Sequence, residues 1–137
     1  MSVCFHFTGA LSIVLLIAVV LATPTYAISD KAGDQLFHYN VDVTTSNGKI
    51  NVSANVVGSL SATKVGLENI CVYEKSGSSW IWYAELFEDD PDMSVDSRAY
   101  LDTIQIDITP GHEYKVDVTI FAEDSEGRDT RSFTRYI

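Results

Sequence analysis

Cysteine is nearly absent from this chain. Cys4 and Cys71 are the two in 137 residues, too few for the disulfide framework that staples many small exported scaffolds. Basic side chains are scarce as well. Nine Lys plus Arg face nineteen Asp plus Glu, a formal net charge of −10. A field of that sign repels polyanions, so nucleic acid is excluded as a partner, and so is binding to an anionic lipid surface. Long apolar runs are missing too, apart from residues 10–22, which fall short of the ~20 residues that span a bilayer. No Gly-x-Ser-x-Gly elbow and no His-Glu-x-x-His occurs. Beyond the first segment only His38 and His112 remain as imidazole bases. Hydrolysis needs a nucleophile held near a base or paired carboxylates in a cleft, so an enzyme is not expected.

What is present begins with the N-terminal segment. Residues 1–27 contain no charged side chain. Their apolar core is followed by Thr23-Pro24 and ends in Thr25-Tyr26-Ala27, small residues where a signal peptidase reads. The reading is a hydrophobic signal helix over 1–27, removed on export, then a flexible polar leader over 28–36 and one domain over 37–137. The start of the segment has no Lys or Arg, only His6, which leaves an uncleaved membrane anchor as the alternative. Both place the domain outside the cell, secreted or at its surface, with membrane contact only through the first segment. Cleavage leaves about 110 residues, enough to bury roughly two-thirds of the unfolded surface without metal or disulfide. Cys71 would then be alone in the chain, a small apolar strand residue with no internal disulfide. Cys4 precedes the apolar run, so it is not a lipoprotein cysteine.

The mature part alternates with period two. Phe37, Tyr39, Val41 and Val43 form one apolar face. Asn47-Gly48 is a hairpin signal, because a type I′ turn needs positive φ at both central residues. Ile50, Val52, Ala54 and Val56 then point one way, and Lys49, Asn51, Ser53 and Asn55 the other. A third strand over 65–74 has Val65, Leu67, Cys71 and Tyr73 as its expected inward set. Asn69 interrupts that face, which calls for a bulge or a partnered buried amide. A fourth strand over 80–87 is aromatic on both faces. Residues 88–97 read as an exposed acidic loop. Ile104, Ile106 and Ile108 mark a fifth strand, Tyr114, Val116, Val118 and Ile120 a sixth, and residues 130–136 a closing strand. About seven short strands with regular turns predict an all-β fold, a single immunoglobulin-like antiparallel β-sandwich.

Thr109-Pro110-Gly111-His112-Glu113-Tyr114 sharpens that expectation. In immunoglobulin-type sandwiches a tyrosine near the start of the sixth strand bonds its hydroxyl back to the preceding corner, and Tyr114 fits. Residues 111–131 resemble the last two strands of fibronectin type III and related bacterial domains. Lys49-Ile50-Asn51-Val52-Ser53-Ala54, Ser61-Ala62-Thr63-Lys64-Val65, Tyr73-Glu74-Lys75-Ser76-Gly77 with Trp80, and Pro110-Gly111-His112-Glu113-Tyr114-Lys115-Val116 extend the likeness. Together they resemble an uncharacterised family of small secreted Ig-like proteins of Gram-positive bacteria. The resemblance rests on turn and core residues. It implies the fold and the export, and no activity. The chain departs from it in its acidity and in the acidic loop after Phe87.

Two sets of side chains are candidate sites. Calcium takes several carboxylate and carbonyl oxygens. Glu88, Asp89, Asp90, Asp92 and Asp96 crowd one loop, and Asp124, Glu126 and Asp129 surround Gly127 in another. Asp89, Asp90, Asp92, Asp124 and Asp129 are the candidate ligands, against a plain solvated acidic surface. Neither segment has EF-hand spacing, and no cofactor is expected. In the aromatic strand, Trp80 and Trp82 share one face and Ile81, Tyr83 and Phe87 the other. One face must be core, with Trp80 expected there, so the other must be partly exposed. Trp82 and Tyr83 are the candidate ligand-binding residues. Asn51-Val52-Ser53 is a glycosylation sequon whose Asn51 faces outward. The function expected is binding, through a surface, to an extracellular protein, an envelope or a polysaccharide. The alternative is a tethered structural or accessory domain.

Overall fold

A computed structural model describes residues 35–137. The expected signal helix and most of the expected leader lie outside the described residues. Eight strands follow in order: β1 (Leu36–Ser46), β2 (Lys49–Gly58), β3 (Lys64–Ser76), β4 (Ser79–Phe87), β5 (Ser94–Val95), β6 (Ala99–Asp107), β7 (Tyr114–Asp124) and β8 (Gly127–Tyr136). They form two antiparallel sheets, one ordered β1-β2-β6, the other β4-β3-β7-β8 with β5 also on β3. The protein is an all-β sandwich. The β1–β2 hairpin closes through Asn47 and Gly48 with φ of 53° and 70°, the positive values that the type I′ turn demands.

The core lies between the sheets. Ile50, Val52, Ala54 and Val56 of β2 are fully buried. They meet Val65, Leu67, Ile70 and Val72 of β3 and Tyr114, Val116, Val118, Ile120 and Ala122 of β7 in one cluster. Each such buried aliphatic side chain contributes roughly 1.5–3 kcal/mol relative to exposure. Period two explains the choice: successive side chains alternate faces, and only the apolar set can fill a dry interior.

Bulges shift that alternation in three places. In β1 the pairing slips between Leu36 and His38. Phe37, expected inside, is 80% exposed, and Leu36 is buried instead. Gln35 and Leu36, the last described residues of the expected leader, are both buried parts of the sandwich. In β3 the irregularity expected at Asn69 lies between Leu67 and Asn69. The extra residue, Glu68, moves Ile70 and Val72 inward and turns Cys71 and Tyr73 to the outer face, against the expected inward set. Cys71 is buried as expected. Its sulfur is disulfide-bonded rather than a lone thiol. In β4 the slip falls opposite Val72 and Tyr73, with Tyr83 as the extra residue.

The acidic loop is more ordered than a solvated excursion. It contains β5 on Val65 and Gly66. Met93 is fully buried, and its carbonyl accepts the Leu67 N–H at 2.7 Å. β5 is not legible in the sequence, because two residues show no periodicity.

Candidate functional site

The outer face of the β4-β3-β7-β8 sheet carries a row that crosses all four strands. Trp82 pairs with Tyr73, Tyr73 with Lys115, and Lys115 with Tyr136. Strands pack about 4.8 Å apart, so these side chains stand shoulder to shoulder. Trp80, opposite Lys75, leans over the row and packs on Tyr136 with ring centroids 5.6 Å apart and planes 48° apart. Lys115 Nζ lies 4.3 Å from the Tyr73 ring centroid and Lys75 Nζ 5.9 Å from that of Trp80, within cation–π range. Tyr136 is 66% exposed and Trp82 41%. Burial, then Asp117 and Glu85, push the Tyr73 hydroxyl pKa up. Trp80, expected in the core, thus stands on the outer face.

Trp82 and Tyr83, the two expected ligand residues, lie on opposite faces of β4. The bulge at Tyr83 turns its ring inward, edge-on to Tyr114 at 5.3 Å. Its hydroxyl donates to the Asp107 carbonyl at 3.0 Å and bridges to the other sheet. The same bulge carries Phe87, 41% exposed, onto the outer face opposite Asn69. Strict alternation would have put Phe87 with Tyr83, so the sequence could not assign the exposed set.

The five candidate calcium ligands are spread over one loop and two strands, β7 and β8. Asp89 is exposed. Asp90 accepts the Phe87 N–H at 2.7 Å. Asp92 has φ of 66°, and its carbonyl accepts the Tyr100 hydroxyl at 2.7 Å. Asp124 accepts the N–H groups of Glu126 and Gly127 at 2.8 and 3.2 Å and the Ser61 hydroxyl at 2.8 Å. The Glu126 N–H first, then Ser61, holds its pKa below the usual carboxylate value. Asp129 is 2% exposed and pairs with Arg131 at 2.6 Å. Among the described residues no three acidic, His or Cys side chains gather so as to hold a metal ion.

A guanidinium organises this end of the sandwich. Arg128 reaches Glu68 at 3.2 Å, Glu88 at 3.0 Å and Glu123 at 2.6 Å. Its Cζ lies 4.0 Å over the Phe121 ring. That explains a phenylalanine on the outer face that is nonetheless fully buried. Sequence reasoning missed this cluster. Glu123 and Arg128 flank one hairpin and could have been paired, but Glu68 and Glu88 come from a bulge and a loop.

The remaining surfaces mix polar side chains with single exposed apolar ones, Phe37, Leu60 and Leu101. On the β1-β2-β6 sheet the Asn51 amide donates to Ser46 and accepts from Gln105, both at 2.9 Å. Asn51 faces outward as expected, yet it is 9% exposed. At the far end, His112 Nδ1 meets the Glu74 carboxylate. Beside it, an open depression of about 540 Å³ is lined by Lys75, Gly77, Gly111, His112 and Glu113.

Compared with known proteins, the chain matches no family model and no curated protein.

Proposed function

We propose that this is a secreted or cell-surface Ig-like domain that works by binding, through the outer face of the β4-β3-β7-β8 sheet. One observation carries the reading: Trp80, Trp82 and Tyr136 stand on that face outside the core cluster. Large rings left partly in water cost solvation, and a partner that covers them recovers it. The domain binds and does not catalyse in this reading.

The Ig-like assignment draws on strand order and on Tyr114. Strands 1, 2 and 6 oppose strands 3, 7 and 8, as A, B and E oppose C, F and G in that fold, with β4 in the place of C′. Tyr114 bonds back to Thr109 from the start of the sixth long strand. The same features fit the resemblance to small secreted proteins of Gram-positive bacteria. Export itself rests on the sequence of residues 1–27.

The test of binding is co-sedimentation of labelled 28–137 with cell envelopes from its own source. Saturable pelleting that Tyr136→Ala reduces supports the reading. Pelleting untouched by Tyr136→Ala and Trp82→Ala, with both variants folded, contradicts it.

A further inference from the structure

We infer that the mouth of the sandwich beside the start of β1 holds one calcium ion, ligated by the side chains of Gln35, Asp124 and Asp129 with the Ser61 hydroxyl at the rim. Lys115 and Tyr136 pair at one end of β7, and this site lies at the other. It stands or falls independently of the aromatic face.

The topology brings three separate segments together here. Asp129 of β8 pairs with Ala122 of β7, and Asp124 lies two residues further along the same face of β7. Such diagonal neighbours stand about 7–8 Å apart. The start of β1 runs against both. The Gln35 amide nitrogen donates to Asp124 Oδ1, and the Leu36 N–H donates to Asp129 Oδ2, each at 3.4 Å. The loop after β2 closes the third side. The Ser59 N–H donates to the Gln35 carbonyl at 2.7 Å, and the Ser61 hydroxyl donates to Asp124 Oδ2 at 2.8 Å.

An orphaned oxygen points to the ion. Gln35 is only 5% exposed, and its side-chain Oε1 is buried with no hydrogen-bond donor. A buried polar atom without a partner is costly. The other end of the same amide touches Asp124, so Oε1 sits beside carboxylates, which are acceptors as well. A positive centre satisfies them all. Asp129 is 2% exposed and gives Oδ1 to Arg131 at 2.6 Å. Its Oδ2 keeps only the Leu36 N–H, a contact longer than a good hydrogen bond. Asp124 is held by N–H and hydroxyl groups and by no cationic side chain among the described residues. Two carboxylates against the single guanidinium of Arg131 leave room for added positive charge.

The donors select calcium. All are oxygens, which suits a hard cation and not zinc or copper. Two carboxylates do not make a metal cluster by themselves, but neutral amide, hydroxyl and water oxygens extend the set. Calcium accepts six to eight oxygens at about 2.3–2.6 Å in irregular geometry, whereas magnesium demands a near-ideal octahedron. So few charged ligands make a weak site, with a dissociation constant on the order of 10⁻⁴–10⁻³ M, the range of extracellular modules.

The experiment titrates the ¹⁵N-labelled whole chain with calcium chloride, followed by NMR. Magnesium chloride at equal ionic strength is the control. The Gln35 side-chain amide and the Leu36 N–H should shift to saturation in millimolar calcium, and magnesium should not reproduce the shift. Calcium should also raise the melting temperature above that in EGTA. Gln35→Met keeps the size of the side chain and removes the orphaned oxygen. It should stay folded in EGTA and lose the calcium response. Gln35→Glu adds a third carboxylate and should lower the calcium midpoint, which keeps the test open if Gln35→Met fails to fold. A water molecule bound to Oε1 instead of an ion would leave Leu36 unmoved by calcium and overturn the inference. Shifts that never saturate and spread over exposed acids such as Asp89 and Asp96 would be screening alone and overturn it too. So would an equal response to magnesium, a wild-type response from folded Gln35→Met, or an unchanged midpoint in Gln35→Glu.

Discussion

The hydroxyl of Tyr114 is bonded twice to Thr109: it accepts that residue's N–H at 3.0 Å and donates to its carbonyl at 3.3 Å. Tyr114 is 1% exposed, so the phenol reaches out of the core to hold the corner between the sheets. Tyr114→Phe keeps the ring and leaves the Thr109 N–H unpaired. The expected loss is about 1 kcal/mol, read as a lower urea midpoint with an unchanged slope. A midpoint equal to wild type would mean that water satisfies Thr109 as well as the phenol does.

Arg128 should matter more. Its guanidinium pairs with Glu68, Glu88 and Glu123 and covers Phe121. Arg128→Ala leaves three clustered carboxylates and an uncovered ring, a cost of about 2–3 kcal/mol after allowance for partial exposure. Arg128→Met keeps the apolar cover and should recover part of the loss. Hydrogen exchange should rise in residues 88–96, which Glu88 ties to this cluster. Protection unchanged there would show that β5 and Met93 alone hold the loop.

Gly66 is the tightest point of the loop's attachment. Its φ is 153°, and an added Cβ would sit 2.5 Å from the Met93 carbonyl oxygen and 2.6 Å from Ser94 Cα. Both are backbone atoms with little room to give. Gly66→Ala should therefore cost roughly 1–3 kcal/mol and release β5. A thermal melt within a degree of wild type would contradict the contact.

Asp124 sets a pH dependence. Its pKa is lowered in the folded state, by the Glu126 N–H first and then by Ser61. The contribution is therefore fully present above the unfolded value of about 3.9. It is lost as pH falls through the lower folded value. Asp124→Ala should melt below wild type at neutral pH, and the gap should narrow in acid. A gap that widens in acid would have the wrong sign.

The sandwich was legible because period two survives along most of β2, β6 and β7, and because Asn47-Gly48 and Tyr114 act through local chemistry. The outer face was not. One extra residue in a strand reverses every later side chain. The bulge at Tyr83 separated Tyr83 from Phe87 and left Trp82 outside. The bulge at Glu68 sent Cys71 and Tyr73 outward. Bulges depend on what the neighbouring strand requires, and no pattern along one strand records that. The Arg128 cluster is invisible for the same reason, since its glutamates meet only after the sheet is paired. The acidity of residues 88–97 is legible as composition, but buried Met93 shows that a charged loop can still be anchored.

In the proposed reading one face of this sandwich binds and the other does not. The most direct measurement compares envelope pelleting by two folded variants, Tyr136→Ala on the aromatic face and Thr103→Ala on the opposite sheet. Tyr136→Ala should lose most of the pelleting and Thr103→Ala none. Loss in Thr103→Ala with Tyr136→Ala unchanged would contradict it.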